Sequence, residues 1–365
     1  MQRQVQRQFD KAQAQVKLGR YGEAIEIFTR LEAQTGAKRI SLELAKALYL
    51  DRQYKQSRQV FERVLAAPDL PPQVRLNIRS YLQLIRANRF DISYRLGLIR
   101  DDNPVGSSSA QEITVFGIPF RYEATTPPTK AWGVRMEADM KWPTRYARFE
   151  NKIRLIKFDE IDEKRAYWTG VMSVPLAWDK MQMAFGYSLF ERNDKEISRK
   201  PFVELRTDWP ATNRRSSVNL SVGETEYRDY DYLSGDFWKL GFGQKTKRGN
   251  VLFNHGLSYL THNAASNADS YEATTIEAGA TFFVKPLNSA ILLSLGRMVR
   301  DHRGTDPMFM VSREDHQSVL ELHVTSYKKL PFSALPRLTF SHLRVHSTIP
   351  LYSSEKSSVE LTFSF

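Results

Sequence analysis

The spacing of apolar residues changes once along the chain, near residue 90. Between residues 16 and 31, apolar side chains recur every three or four positions, which is the period of an amphipathic helix. From Asp91 onward, apolar and polar residues alternate, as in SVNLSVGE (217–224) and SVLELHVTSY (318–327). This is the period of a strand with one polar face. The pattern predicts an α + β chain, with helices in residues 1–90 and antiparallel strands in residues 91–365.

The helical part contains a repeat. Four positions in GRYGEAIEIFTRL (19–31) have counterparts 33 residues later; the pairs are Tyr21 and Tyr54, Ala24 and Ser57, Phe28 and Phe61, and Leu31 and Val64. The offset is close to the 34-residue tetratricopeptide period. We therefore expect residues 1–90 to form a tetratricopeptide-like domain, which acts either as a folded helical cap or as a docking platform for a peptide or protein. The docking candidates are Arg20, Tyr21, Arg52, Tyr54 and Arg58.

The second part of the chain contains fifteen candidate strands. They lie near 91–100, 111–123, 131–141, 147–157, 165–175, 181–191, 199–207, 216–226, 236–247, 250–260, 271–284, 290–299, 316–328, 335–346 and 355–365. Most are about ten residues long, the length of a tilted strand that spans a bilayer. Because single-chain bacterial barrels have an even number of strands, we expect fourteen real strands and one wrong assignment before residue 165.

The connections between these strands alternate in length. The short turns AWDK, TKRG and KPLN are interleaved with longer polar loops at 262–270 and 301–313. Short periplasmic turns and longer external loops are typical of an outer-membrane barrel. The tryptophans fall near strand ends, as in an interfacial girdle; they are Trp132, Trp142, Trp168, Trp178, Trp209 and Trp238. Residues 91–365 are therefore expected to form a transmembrane β-barrel, with a β-sandwich or a propeller as the soluble alternatives.

The last strand carries a pattern of its own. Val359, Leu361, Phe363 and Phe365 share one face, and a terminal aromatic residue resembles the signal that the barrel assembly machinery reads during insertion. Glu360 stands where a small residue is often found in that signal. Strand alternation also predicts lumenal side chains, and the candidates are Asn219, Ser221, Glu277, Thr281, Glu321 and His323.

Composition narrows the class of protein. The absence of cysteine excludes disulfides and thiolate sites, and a mean hydropathy of −0.47 argues against a helical membrane protein. Most of the net charge of +12 lies in residues 1–90, which have 17 Lys and Arg against 8 Asp and Glu. No nucleic-acid signature accompanies this charge, so no nucleic-acid partner is expected. The first nineteen residues contain no apolar run and no small-residue cleavage site, so we expect no signal peptide in this sequence.

No motif for catalysis is present. The sequence lacks G-x-S-x-G, H-E-x-x-H, Walker and dinucleotide patterns. His342 and His346 are four residues apart on one strand, and His323 is expected on the neighbouring strand; hydrogen bonding in the lumen or at its rim is favoured over metal or haem binding. Asp101 and its two neighbours suit a turn better than a calcium site. We expect a non-enzyme, with no catalytic residue, no cofactor and no metal.

Three stretches of the chain together resemble one family. They are LPPQVRLNIRSYLQLI (70–85), RLGLIRDDNP (95–104) and the tail from residue 335, in which His346, Ser347, Ile349, Tyr352 and Ser353 form a basic-Ser-x-Ile-x-x-Tyr-Ser loop. These stretches resemble the surface lipoprotein assembly modifier family (Slam), the outer-membrane translocons of type XI secretion.

The resemblance implies a fourteen-stranded outer-membrane barrel with a periplasmic tetratricopeptide domain at residues 1–90. It implies export of specific surface lipoproteins, or of soluble haem- or iron-binding proteins, across the outer membrane. The expected partners are this cargo, a periplasmic chaperone, outer-membrane lipid and the barrel assembly machinery, and we expect a monomer.

Two other classes of protein remain open at this point. A polysaccharide export porin also joins tetratricopeptide repeats to an outer-membrane barrel, but it usually has more repeats and a strong charge bias in its lumen. A soluble tetratricopeptide adaptor fused to a β-sandwich is the third candidate.

Overall fold

The computed structural model describes residues 2–67, 70–87, 90–124, 127–144, 146–176, 181–328, 330 and 334–365. The chain divides into two compact units. One consists of Met1–Phe90 with Trp142–Arg145, and the other of Asp91–Lys141 with Tyr146–Phe365. We refer to them as the helical unit and the barrel unit.

The helical unit contains five helices within the described residues. They are α1 (Gln2–Lys17), α2 (Tyr21–Thr35), α3 (Lys38–Leu50), α4 (Tyr54–Leu65) and α5 (Pro72–Ala87). None of these helices, as far as they are described, has the length and apolar character needed to cross a membrane.

Residues that match in the sequence repeat also match in burial. Phe28 and Phe61 are both fully buried in the core of the helical unit, and so are Ala24 and Ser57. The buried Ser57 hydroxyl donates a hydrogen bond to the Ala45 carbonyl oxygen at 2.7 Å, which satisfies its polar group. The 33-residue offset therefore relates α2 to α4 as equivalent helices that face a common core.

Aromatic rings join three of the helices in this core. The Tyr49 ring lies 5.7 Å from the Tyr54 ring and 5.4 Å from the Tyr81 ring, and Tyr81 stacks on Phe61 at 5.1 Å. Burial among these rings raises the pKa of Tyr49, with smaller contributions from the Tyr54 and Tyr81 hydroxyls.

The barrel unit is one antiparallel sheet that closes on itself. Within the described residues, its fourteen strands are β1 (Asp91–Asp101), β4 (Ala131–Pro143), β5 (Arg148–Phe158), β6 (Glu163–Pro175), β7 (Met181–Arg192), β8 (Lys195–Pro210), β9 (Arg214–Tyr227), β10 (Gly235–Arg248), β11 (Val251–Ala264), β12 (Tyr271–Val284), β13 (Ser289–Thr305), β14 (Ser312–Ser326), β15 (Leu335–Ser347) and β16 (Ser354–Ser364). Neighbours in sequence are neighbours in the sheet, and β1 closes the barrel against β16. The expectation of a fourteen-stranded barrel is confirmed.

The one wrong strand assignment is the segment 111–123. It forms a separate hairpin of β2 (Glu112–Val115) and β3 (Ile118–Arg121), joined by a tight turn with positive φ at Phe116 and Gly117. Alternation is a local property, and this short hairpin has it although the two strands pair only with each other. The error lies before residue 165, as expected.

The two faces of the barrel differ in polarity. Alternate residues with large exposed apolar side chains form an outward belt; examples are Leu96, Leu98, Leu220, Val222, Leu240, Phe242, Ile276, Leu295, Leu320 and Phe340. Their neighbours in each strand point inward and are mostly polar or charged. An apolar band outside and a polar interior are typical of a transmembrane barrel.

The connections lie at two opposite ends of the barrel. One end bears 102–130, 159–162, 193–194, 228–234, 265–270, 306–311 and 348–353, and we call it the long-loop end after the first of these. The other bears 144–147, 176–180, 211–213, 249–250, 285–288 and 327–334, and we call it the short-turn end. Strands β11 and β13 extend further than predicted, because His262 and Arg300 still pair with neighbouring strands. The turn AWDK, with Trp178, lies outside the described residues; the other five tryptophans point outward.

One residue of the helical unit has an unfavourable backbone conformation. Gly19 and Arg52 occupy equivalent positions 33 residues apart, and both have positive φ, +74° and +63°. Glycine adopts this region without penalty, whereas arginine does so at a cost of about 1–2 kcal/mol.

We expect Arg52→Gly to be more stable than Arg52→Ala by about 1 kcal/mol, because both variants lose the side chain and only alanine keeps the strain. The measurement is thermal unfolding of the full chain in detergent, followed by the helical circular dichroism signal. Equal midpoints for the two variants would show that the strain at position 52 has no energetic weight.

Candidate functional site: the barrel lumen

The structure places all six predicted lumenal residues on the inward face. Asn219 and Ser221 alternate with the exposed Leu220, Glu277 follows the exposed Ile276, and Glu321 follows the exposed Leu320. Thr281 and His323 continue the inward rows of β12 and β14. The six residues are divided between two walls of the barrel.

One wall consists of ion pairs, and we call it the ion-paired wall. The Glu137 carboxylate on β4 is only 6% exposed, and it accepts from Arg95 Nη2 and from Arg154 Nε, each at 2.7 Å. Arg95 also contacts Asp139 at 2.7 Å. Since β1, β4 and β5 are neighbours, these pairs run across three strands on the inside of the barrel. They neutralise charges that are partly removed from water.

The ion-paired wall continues across the closure of the barrel. Arg135 on β4 pairs with Glu360 on β16, although β1 lies between these strands. The inward residue of β1 at this level is Gly97, which faces Arg135 on one side and Thr362 on the other. A Cβ at Gly97 would lie 2.4 Å from the Thr362 Cγ2 atom and 2.8 Å from the Leu361 carbonyl oxygen, so the closure leaves no room for a side chain at this position.

Two further carboxylates are buried toward the long-loop end. Glu163 on β6 contacts Arg165 at 2.7 Å and Arg192 at 3.0 Å. Asp315 on β14 contacts Arg313 at 2.8 Å. Each carboxylate binds at least one guanidinium group, so these inward charges are compensated locally rather than by solvent.

The opposite wall, on β9–β12, has small inward residues. Gly241, Gly243 and Gly256 lie beside one another in the ladders of β10 and β11. Lys239 and Glu277 line the same cavity as these glycines. The glycines add no side chain to the lumen at these positions, so the surface of this wall is partly backbone.

Aromatic side chains line the lumen nearer the long-loop end. Tyr167 stacks on Phe190 at 4.8 Å, and the Lys200 ammonium lies 3.7 Å from the centre of the Phe237 ring. Tyr271 lies below the Arg300 guanidinium at 4.6 Å. None of these aromatic residues was among the lumenal candidates predicted from the sequence, although each occupies an inward position of an alternating strand.

The tail motif lies in the connection between β15 and β16. Ile349 is fully buried, and its backbone N–H donates to the Ser347 hydroxyl at 3.3 Å. The Arg313 guanidinium lies 3.6 Å above the Tyr352 ring. Burial, followed by the nearby Asp306 carboxylate, raises the pKa of Tyr352, while Arg313 opposes this shift. The residues Ser347, Ile349 and Tyr352 thus hold the connection between β15 and β16.

The histidines are distributed over both faces. His342 and His346 point outward from β15, whereas His323 points inward from β14, where it contacts Glu321 at 3.2 Å and Thr339 at 2.9 Å. The three side chains therefore do not converge. In the part of the chain that the structure describes, no group of three or more His, Asp or Glu residues is arranged around a metal-sized space.

The docking candidates lie in the helical unit. Arg20 and Arg52 are exposed just before α2 and α4, respectively. Tyr21 is half-buried, Tyr54 packs on the core beside Tyr49, and Arg58 contacts Glu62 at 3.7 Å. Of the three arginines, Arg52 donates a hydrogen bond from its guanidinium to the Thr144 carbonyl oxygen at 3.3 Å, Arg58 is half-buried, and Arg20 is exposed. Tyr54 has a structural role.

A family comparison bears on the barrel unit. Residues 244–365 match the family described as surface lipoprotein assembly modifier, so the resemblance inferred from the sequence is confirmed for this part of the chain. No curated protein sequence matches the chain. Together with the closed barrel and its apolar belt, the family match indicates an outer-membrane protein with a role in transport.

Several solved outer-membrane structures are similar to the chain. The outer membrane channel DcaP of Acinetobacter baumannii has 10% identity and a TM-score of 0.42, with 76% of this chain and 97% of that chain covered. A loop-deletion mutant of OmpT, an outer membrane protein of Vibrio cholerae, has 9% identity and a TM-score of 0.43, covering 76% and 99%. A BenF-like porin from Pseudomonas fluorescens has 8% identity and a TM-score of 0.41, covering 76% and 98%.

The ion-paired wall makes a testable contribution to stability. We expect Glu137→Gln to destabilise the barrel by about 2–3 kcal/mol, because Arg154 loses its carboxylate partner and Arg95 keeps only Asp139. The measurement is the temperature at which the folded, fast-migrating form is lost in SDS gels. Glu150→Gln is the control, since Glu150 is 44% exposed and makes one pair with Arg148 at 2.8 Å. Equal losses in both variants would contradict a special role for Glu137.

Proposed function

We propose that this chain is an outer-membrane translocon of type XI secretion, which moves specific surface lipoproteins or secreted haem- or iron-binding proteins across the membrane. The observation that carries the proposal is the combination of a closed, polar-lined barrel with the family match over residues 244–365. The lumen provides a path for polypeptide, and its inward charges are mostly held in pairs with opposite charges, so a cargo meets few uncompensated charges on the ion-paired wall.

We also propose that the helical unit is periplasmic and docks the cargo or a chaperone. Its net charge of +9 comes from 17 Lys and Arg against 8 Asp and Glu in residues 1–90. A basic surface attracts acidic partners and speeds their association. Arg20 directly precedes Tyr21 of α2, and Arg58 lies one turn after Tyr54 in α4. These two arginines are the centre of the proposed docking surface.

The direct test of the translocon is co-expression in a bacterium that lacks it. A candidate lipoprotein, taken from a gene adjacent to the gene of this chain, is produced with and without this chain. Protease is then added to intact cells. We expect the cargo to be degraded only when this chain is present, because only exposed cargo meets the protease. Equal degradation in both cells would overturn the proposed function.

The docking surface has a separate test. We expect Arg20→Glu with Arg58→Glu to reduce the amount of surface cargo while the barrel still assembles, because the reversal repels an acidic partner. The control changes the same number of charges at two exposed basic residues outside the proposed surface, Arg7 on α1 and Arg79 on α5. If both pairs of reversals have the same effect, overall charge matters and the proposed surface does not.

The runner-up function is polysaccharide export, and it is distinguished by conductance. A polymer porin in a planar bilayer would be blocked by a charged polysaccharide added to one side. For a protein translocon we expect no such block at polymer concentrations that saturate an export porin, because the lumen carries charges of both signs. A block that follows the sign of the polymer charge would favour the runner-up.

A further inference from the structure

The ladder between β1 and β16, which we call the seam, is the shortest in the barrel among those with a described register. Residues 95–101 pair with residues 358–364, which makes seven pairs, and the backbones of Tyr94 and Phe365 exchange bonds of 2.9 and 3.4 Å. The other described barrel ladders have eleven or more pairs. In the described registers, residues 91–93 pair with β4 alone. Among the ladders with a described register, the seam therefore has the fewest backbone pairs, and these pairs involve the half of β1 nearer the long-loop end.

Side chains fasten the seam at the long-loop end. The Asp102 N–H donates to the Ser357 carbonyl oxygen at 3.1 Å, and the Ser357 N–H donates to an Asp102 carboxylate oxygen at 2.6 Å. Lys356 pairs with the buried Asp101 at 2.7 Å. The Asn103 amide donates to the Glu355 carbonyl oxygen at 3.0 Å. This end of the seam has the properties of a hinge.

A single ion pair fastens the middle of the seam from the inside. Arg135 reaches over Gly97 to Glu360, so that it ties β4 to β16 and bypasses β1. Glu360 is 7% exposed, and within the described residues Arg135 is its one charged partner. An ion pair of this kind can separate when the strands part, because lumenal water then solvates both charges.

The outside of the seam is apolar. Leu96 faces Phe363 and Leu98 faces Leu361 in the outward rows, and all four side chains belong to the lipid-facing belt. Separation of the strands would therefore join the polar lumen directly to the acyl chains of the membrane.

We infer that the seam opens sideways from its short-turn end, and that the acylated amino terminus of a lipoprotein cargo lies in this opening with its acyl chains in the membrane lipid. The inference rests on the proposed function. The chemistry of the cargo requires such a path, because hydrocarbon chains are poorly solvated in a lumen lined by Arg135, Glu360 and Thr362. With the seam parted, the polypeptide stays in the lumen while the acyl chains stay in lipid.

The absence of cysteine in the chain permits a clean crosslinking test. Leu98→Cys with Leu361→Cys places two thiols at paired positions of the seam, within the range of a disulfide. The control is Leu295→Cys with Leu320→Cys, paired outward positions between β13 and β14. Each full-length variant is oxidised in cells before the neighbouring lipoprotein is induced, and surface cargo is measured by protease with and without reductant.

We expect the oxidised seam variant to lose most of its surface cargo and to recover it on reduction, whereas the control variant keeps it in both states. A second seam pair, Leu96→Cys with Phe363→Cys, lies nearer the short-turn end and gives an independent crosslink should the first variant fail to assemble. Unimpaired export by an oxidised seam overturns the inference and leaves the translocon intact. No surface cargo with the unmodified chain overturns the proposed function itself.

An unacylated form of the same cargo separates the two parts of the inference. When its lipid-bearing cysteine is replaced by serine, we expect it to be secreted into the medium in spite of the oxidised seam, because it has no acyl chain to pass. If the oxidised seam blocks this cargo equally, the seam serves polypeptide passage and the assignment to acyl chains is wrong.

Discussion

The pairing of β1 with β16 is the constraint on which the rest of this structure depends. A sheet inside a membrane has no water to satisfy the backbone groups at its edges, so it must close. Closure creates an inside and an outside, and the alternation of every strand then has one meaning around the whole barrel. The apolar residues that flank Arg95 and Arg135 meet lipid because the sheet closes, and the two arginines face inward for the same reason.

Closure also determines how the inward charges behave. A charge on an open sheet is solvated, whereas a charge in a narrow lumen loses part of its water and requires a partner. Glu137 and Glu163 have such partners on adjacent strands. Glu360 has its partner two strands away, on the far side of Gly97 in β1. The acidic residue in place of a small one near the carboxyl end thus has a defined role in the closure.

The sequence was sufficient to predict features that depend on local pattern. The period of the apolar residues predicted the helices, the strands and the inward direction of Asn219 and Glu277, and the parity rule predicted that one of fifteen strands was wrong. It could not identify the 111–123 hairpin, because alternation does not reveal which strand is the partner. The partner of Arg135 is 225 positions away, and such pairings depend on the register of the whole barrel. For the same reason, the sequence did not show that His342 and His323 face opposite sides of the sheet.

In the function that we propose, the barrel has two conflicting requirements at the seam. It must be closed at rest, since an open edge in lipid is costly, and it must open for cargo that carries hydrocarbon. A long ladder satisfies only the first requirement, because each parted N–H and C=O group then faces lipid without a partner. In the opening that we propose, seven backbone pairs are few enough to part, and the pair of Arg135 with Glu360 compensates for the missing ones at rest. Because lumenal water solvates both charges once the strands part, the cost of separating this pair falls as the opening proceeds.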